Sequence, residues 1–316
     1  MKKSIDVIIP AYKPDKTFEN LISRLQKQTV KPRKILVVNT GEDYWNQGDF
    51  DKTPFLSESA SGIEMRVVHV REEEYDHGGT RKMMAGMSDA DILLFMTQDA
   101  MPADTHLLEQ FQKIFQNAQE TGIAAAYARQ LPSADCHLME RYTRQFNYPP
   151  ESRIKSREDL SELGIKTYFC SNVCAAYLRS VYEQLGGFEE RTIFNEDMIF
   201  AGKLIQNGYK VAYAADAKVI HSHNYNGKQQ FQRKFDLAVS QTEHPEIFEG
   251  IKSEKEGIRL VGETAGFLLK EGKPWMIIRL FVISACKYAG YKLGRNYQRL
   301  PKWMILKCTS NRKYWK

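Results

Sequence analysis

At 316 residues and 42% hydrophobic content the chain can build one large α/β domain with an appendage or two modest domains, and its composition excludes general disorder. No stretch reaches the roughly 18 apolar residues of a membrane-spanning helix, and Lys2-Lys3 ahead of a short apolar strand does not read as a secretory leader. The net charge of +6 is uneven: residues 271–316 carry eleven Lys or Arg and one Glu, which leaves −4 for residues 1–270.

In chain order, Ile5 to Pro10 reads as a strand halted by proline, and residues 18–28 as a helix with apolar positions at Phe18, Leu21, Ile22 and Leu25. Strands follow at 34–38, 65–70 and 92–96, with a helix expected over Thr80 to Ser88. This βαβ rhythm predicts a mainly parallel sheet. Residues 124–128 read as a further strand, whereas 129–167 mix charges, aromatics and Pro149-Pro150 with little periodicity. Tyr142, Phe146 and Tyr148 favour an ordered, ligand-facing excursion there. Next come a strand-like segment at 168–176, helices at 179–185 and 196–206, and short strands at 209–213 and 218–220. Five cysteines (Cys136, Cys170, Cys174, Cys286, Cys308) form no framework, which suits a reducing cytosol. Cys170 and Cys174 lack a second pair and read as small core residues.

The polar stretches at strand ends carry the chemistry. Thr97-Gln98-Asp99-Ala100 closes the apolar run at 92–96, and an acid just past a buried strand sits where open α/β sheets bind ligands. Asp76-His77-Gly78-Gly79-Thr80-Arg81 offers glycines for close backbone approach and a guanidinium matched to phosphate oxygens. Together they read as a phosphate-and-metal site. Arg81 could equally pair with Asp76 on a helix surface. Asn195-Glu196-Asp197 opens a helix, where acids are favoured in any case. His221-Ser222-His223 follows the last short strand.

In order and spacing, Pro10-Ala11-Tyr12, residues 76–81, Thr97-Gln98-Asp99, Asn195-Glu196-Asp197 and His221-Ser222-His223 resemble glycosyltransferase family 2 over residues 4 to about 240. The 76–81 and 97–100 strings are most similar to its bacterial rhamnosyltransferase branch. The resemblance implies an α/β GT-A fold: a glycosyltransferase domain over 1–240, with a donor-nucleotide half to 125 and an acceptor half from 126, and a basic helical region over 241–316. It implies inverting, metal-dependent transfer of a hexose, in this branch L-rhamnose from dTDP-L-rhamnose, to a lipid-linked cell-surface polysaccharide precursor. A UDP-sugar handled in the same way is the alternative donor. A nucleotidyltransferase would carry a Gly-rich basic loop after the first strand, and Pro10-Ala11-Tyr12-Lys13-Pro14 lacks those glycines.

By position in this resemblance, Asp197 is the base that takes the acceptor hydroxyl's proton, and Glu196 its neighbour for acceptor orientation. Asp99 matches the last acid of a metal-binding Asp-x-Asp whose first place Thr97 occupies. A single carboxylate leaves Mg2+ or Mn2+ in need of another protein ligand, His223 or alternatively His221, and an imidazole leans the site toward Mn2+. Pro10, Ala11 and Tyr12 would flank base and ribose. Asn39, where many relatives carry an aspartate, or else Asp76, would read the pyrimidine edge. Gly79, Arg81 and Gln98 complete the donor side, with Arg233 as a clamp on the diphosphate. Arg129, Gln130 and Asn172 are expected on the acceptor side.

Residues 274–291 form an apolar helix interrupted by Arg279 and Lys287, too short and too charged to span a bilayer. With Trp275, Phe281, Tyr288 and Tyr291 beside many lysines, it can lie in an anionic membrane interface, which would place the protein on the cytoplasmic face of a bacterial membrane. Packing on the catalytic domain or on a second copy of the chain is the other reading. No nucleic-acid-binding module is recognisable.

Overall fold

The computed structural model describes residues 2–48, 50, 62–251 and 254–315. Its strands are β1 (Ile5–Tyr12), β2 (Lys34–Thr40), β3 (Glu64–Val70), β4 (Ile92–Met96), β5 (Met101–Pro102), β6 (Ile123–Leu131), β7 (Arg153–Lys155), β8 (Cys174–Leu178) and β9 (Lys210–Ile220). They form one nine-stranded sheet in the order β3-β2-β1-β4-β8-β6-β9-β5, with β7 also on β9. β1, β2, β3 and β4 are mutually parallel, β8 runs antiparallel between β4 and β6, and β6 and β9 are parallel again. The carboxyl ends of β1, β2, β4, β6 and β9 therefore open on the same edge, where a mainly parallel sheet holds its ligands.

The main helices are α1 (Lys16–Gln26), α2 (Glu42–Gln47), α3 (His77–Ala85), α4 (Leu107–Gln116), α5 (Leu138–Asn147), α6 (Arg179–Gln184), α7 (Glu196–Gln206), α8 (Gly227–Glu243), α9 (Glu254–Lys270), α10 (Met276–Arg295) and α11 (Lys302–Cys308). Successive strand residues point to opposite faces, and the core divides accordingly. Val7, Ile9 and Val37 face Phe18, Leu21, Phe111 and Phe115 of α1 and α4. Ile8, Leu36, Val38 and Phe95 face Met84, Tyr182, Ile199 and Phe200 of α3, α6 and α7. A smaller apolar cluster joins Phe235 and Val239 of α8 to Ile193, Ile305 and Cys308.

Several elements differ from their sequence expectation. β1 runs through Pro10 to Tyr12, because pairing with β4 has ended at Ile8–Phe95 while pairing with β2 continues. α3 starts at His77 and takes both glycines into its first turn, since Asp76 caps it by accepting from the Gly79 amide. The strand expected at 168–176 forms at Cys174–Leu178 instead. The two short strands expected after residue 208 are one, with an irregularity where Ala128 pairs with Ala214 and Arg129 with Lys218. α5 buries none of its own residues, although Leu138, Met139, Tyr142 and Phe146 recur at helical spacing. It is held from outside, by a stacked Tyr142–Phe267 pair with centroids 4.5 Å apart that ties it to α9. Cys136, Cys170, Cys174 and Cys308 are buried free thiols and Cys286 is half-buried.

The helix α8 spans residue 240, and the basic helices pack on it. A methyl group at Gly290 or Gly294 of α10 would collide with the carbonyl oxygen of Phe231 or Phe235. No helix among the described residues is long and apolar enough to cross a membrane.

Candidate active site

Three ligand-type side chains converge where β4 and β9 end. Asp99 Oδ2 lies 3.6 Å from His221 Nε2 and 3.3 Å from His223 Nε2, and one ligand atom from each falls within 4.8 Å of the others. Burial works against the Asp99 charge, but the hydrogen bond and charge of His221, with His223 beyond, hold the carboxyl well below the usual carboxylate range. Burial, reinforced by the His221 ring, lowers the His223 imidazole to about 4. An ionised carboxylate and a neutral imidazole are the metal-binding forms of both groups. One carboxylate oxygen and two imidazole nitrogens make a donor set that fits a divalent cation.

The second cluster gathers at the start of α7. Asn195, the residue before it, has φ of +75°, a left-handed conformation that few non-glycine residues adopt and that turns the helix start into the site. Asp197 Oδ2 accepts from the Asn172 amide at 2.9 Å. Glu196 Oε1 accepts from Asn172 Nδ2 at 3.1 Å and lies 3.3 Å from Arg81 Nη1. Burial opposes ionisation of Glu196, but the charges of Arg81 and His77 and the Asn172 hydrogen bond keep its carboxyl below the ordinary value. Asp197 moves the other way: burial, then the Glu196 charge beside it, push its carboxyl up. Two adjacent acids are thus driven apart, one fixed as an anion and the other given the proton affinity of a base.

Arg233 of α8 joins the clusters. Its guanidinium lies 5.0 Å from the Phe194 ring, one residue before Asn195, and 4.8 Å from the Tyr225 ring, which is tilted on His223. No carboxylate forms a salt bridge with it among the described residues. A cation held on two ring faces between a metal-type triad and an acid pair is free to meet an anionic ligand.

The ends of β1 and β2 form the remaining side. The Gln98 side chain closes a two-way bridge to Tyr12, accepting from its amide at 2.8 Å and donating to its carbonyl at 3.0 Å. Gln98 therefore sets the spacing of β1 and β4. The Tyr12 ring is 46% exposed and meets Tyr44 edge-on at 5.7 Å. Ala11 is buried and Pro10 half-buried beneath it. Asn39 is buried, with Nδ2 near Gly41 O and His69 Nδ1, each at 3.0 Å, while Oδ1 has no partner.

Several expected ligand contacts are taken up inside the protein. Asp76 Oδ2 accepts from the Gly79 amide at 2.6 Å and from the Arg191 amide at 2.8 Å, so it holds two loops together. Gly79 leaves room for that cap, and a Cβ there would stand 2.7 Å from Asp76 Oδ2. Arg81 is buried, pairs with Glu196 and donates to His77 O at 2.8 Å. Gln130 and Asn172 lie behind the site, not on an acceptor rim. Gln130 Oε1 faces His221 Nδ1 at 3.0 Å and also accepts from Arg144, and Tyr177 donates to Asn172 Oδ1 at 2.9 Å. Arg129 donates to Tyr148 O at 3.2 Å, at the end of α5.

A protein-family model described as glycosyl transferase family 2 matches residues 6–186, which takes in Asp99 but stops short of Glu196, Asp197 and the histidines. Over nearly the whole chain there is 39% identity to the O-antigen chain rhamnosyltransferase RfbN of Salmonella typhimurium, covering 98% of this chain and 96% of that protein. The O-antigen chain rhamnosyltransferase WbaN of Salmonella anatum is 38% identical, with 99% and 96% covered. Among solved structures, a mannosyltransferase of Pyrobaculum calidifontis in complex with GDP-Man and Mn2+ superposes with a TM-score of 0.62 at 12% identity, over 95% of this chain and 89% of that one. S. aureus TarS 1–349 gives 0.53 at 14% identity, over 94% and 91%. These two likenesses are of fold.

Proposed function

The chain belongs to glycosyltransferase family 2, and from that premise we propose that it is an inverting, metal-dependent rhamnosyltransferase acting on a lipid-linked cell-surface polysaccharide precursor, with dTDP-L-rhamnose as donor. The observation that carries the chemistry is the divided acid pair of α7. As the acceptor oxygen bonds to the anomeric carbon, its proton passes to Asp197, and the bond from that carbon to the diphosphate oxygen breaks. Glu196, fixed by Arg81 and Asn172, keeps the proton affinity of Asp197 high. Asp99 with His223 and His221 would hold a Mg2+ or Mn2+ ion, which would supply charge neutralisation for the departing diphosphate. Arg233 faces the same charge from α8.

The sugar rests on the two rhamnosyltransferases that resemble the chain from end to end. The pyrimidine edge is assigned to Asn39, whose Nδ2 is engaged and whose buried Oδ1 has no partner within the chain, an acceptor suited to the imide N–H that thymine and uracil share. Tyr12 supplies the neighbouring aromatic face. The membrane side of the proposal rests on the C-terminal helices, where Trp275, Ile278, Phe281, Val282, Tyr288 and Trp303 are exposed among lysines and arginines. Such a face suits the interface of an anionic bilayer, on whose cytoplasmic side a lipid-linked acceptor would be met.

Titration with dTDP-L-rhamnose, UDP-glucose and UDP-GlcNAc, with and without Mn2+, followed by transfer to the lipid-linked acceptor, tests the reading. Metal-dependent binding of the dTDP-sugar and a product of inverted anomeric configuration are expected. Binding of none of the three donors would overturn it, and preference for a UDP-sugar would replace the donor.

A further inference from the structure

The segment Thr309–Trp315 lies far from the donor strands in sequence, yet it ends against them. Built contacts fix it to α8. Buried Asp236 accepts from Thr309 Oγ1 at 2.6 Å and from the Ser310 amide at 2.9 Å. Gln232 Nε2 donates to Thr309 O at 3.0 Å, and Tyr314 donates its hydroxyl to Glu243 Oε2 at 2.8 Å. From this anchored strap Lys313 reaches Glu72, just past β3, with Nζ 2.5 Å from Oε2. The other oxygen of Glu72 accepts from the Tyr12 hydroxyl at 3.3 Å, and Tyr12 is bridged through Gln98 to the turn that carries Asp99.

We propose that Lys313 is a donor-binding residue: its ammonium stands at the nucleotide end of the cleft and exchanges Glu72 for a phosphate oxygen of a nucleoside diphosphate seated against Tyr12. The inference rests on the proposed function in one respect, that Tyr12 faces the nucleotide. The strap is held by buried groups, whereas the ion pair at its tip is half in water, with side chains 50% and 31% exposed. Such a pair contributes little stability, so exchanging it for a charge-assisted bond to phosphate costs little. A firmly placed segment thus delivers a loosely held cation to a site whose ligand is anionic.

The test measures binding of dTDP and of thymidine to the full chain and to Lys313→Ala, Lys313→Arg and Glu72→Gln. Lys313→Ala should weaken dTDP by about tenfold, the order of one charged hydrogen bond, and leave thymidine unchanged, which also reports an intact pocket. Lys313→Arg should restore dTDP binding, and Glu72→Gln should equal or exceed the unsubstituted protein. Wild-type dTDP affinity in Lys313→Ala would overturn the inference, as would equal losses in Lys313→Ala and Glu72→Gln, the mark of a structural latch. If the unsubstituted protein binds thymidine and dTDP with equal affinity, no phosphate contact exists and the inference falls alone. If it binds neither, the proposed donor falls with it.

Discussion

Arg81 Nη1 lies 3.3 Å from Glu196 Oε1, and neither side chain is more than 7% exposed. This contact ties α3 to the first turn of α7, 115 positions apart in sequence, and sets the charge state of the acid pair. Breaking a buried pair from one side strands the other charge, at a cost of about 3–5 kcal/mol. Arg81→Ala should lower stability by that amount in urea denaturation. Adding Glu196→Gln to Arg81→Ala should recover most of the loss, because no unpaired charge then remains. Arg81→Lys should recover little, since the guanidinium also donates to His77 O.

Asp197→Asn should keep donor affinity and lower transfer by about 10²–10⁴-fold, the usual contribution of a general base. The pH–rate profile carries the finer test. Burial and the Glu196 charge raise the Asp197 carboxyl, and a base acts only when deprotonated, so activity should climb with pH through its raised value. Replacing Glu196 with Gln removes a charge that disfavours ionisation of Asp197, and the rising limb should move to lower pH. A limb that stays in place in Glu196→Gln would separate the two acids.

The sequence disclosed the parts of this site that lie at strand ends and helix starts. Asp99 closes a fully apolar strand, Glu196 and Asp197 open a helix, and the histidines follow β9; each position is a local pattern. What it could not disclose is which polar groups meet each other. Arg81 reads as a phosphate ligand because its neighbours are glycines, but Glu196 reaches it through the tertiary fold. Gln130 and Asn172 look like rim residues until burial places them behind His221 and the acids. The amphipathic α5 was hidden because its partner, α9, lies over a hundred residues later. Lys313 and Glu72, 241 positions apart, have no local signature at all.

Gln130 fixes the ring of His221 by facing Nδ1 at 3.0 Å, which leaves Nε2 turned to Asp99. Loss of such an outer partner costs metal sites about 10–100-fold in affinity. Gln130→Met should therefore weaken Mn2+ binding by that factor, measured by calorimetry, with all three ligand residues intact. Asp99→Ala should abolish the metal dependence of donor binding, and chelation of the unsubstituted protein should mimic it reversibly. Unchanged Mn2+ affinity in Asp99→Ala would reject the triad as a cation site.

The basic helices cannot be removed to test the membrane proposal, because α10 lies directly on α8 at Gly290 and Gly294 and the apolar cluster around Phe235 includes Ile305. Deleting 271–316 would expose that cluster and leave buried Asp236 without its Thr309 and Ser310 partners, so lost membrane binding would be confounded with unfolding. Surface substitutions avoid this. Trp275, Phe281 and Trp303 are 66%, 59% and 58% exposed, and burying such a ring in the bilayer interface is worth about 1–2 kcal/mol. Each change to Ser should reduce co-sedimentation with phosphatidylglycerol vesicles by about tenfold, with unfolding midpoints unchanged. Raising salt should weaken the remaining binding, since lysine and arginine attraction to anionic lipid is screened. If the triple variant sediments with vesicles as the unsubstituted protein does, this face does not dock on the membrane; packing against a second copy then becomes the reading to test by its mass in solution.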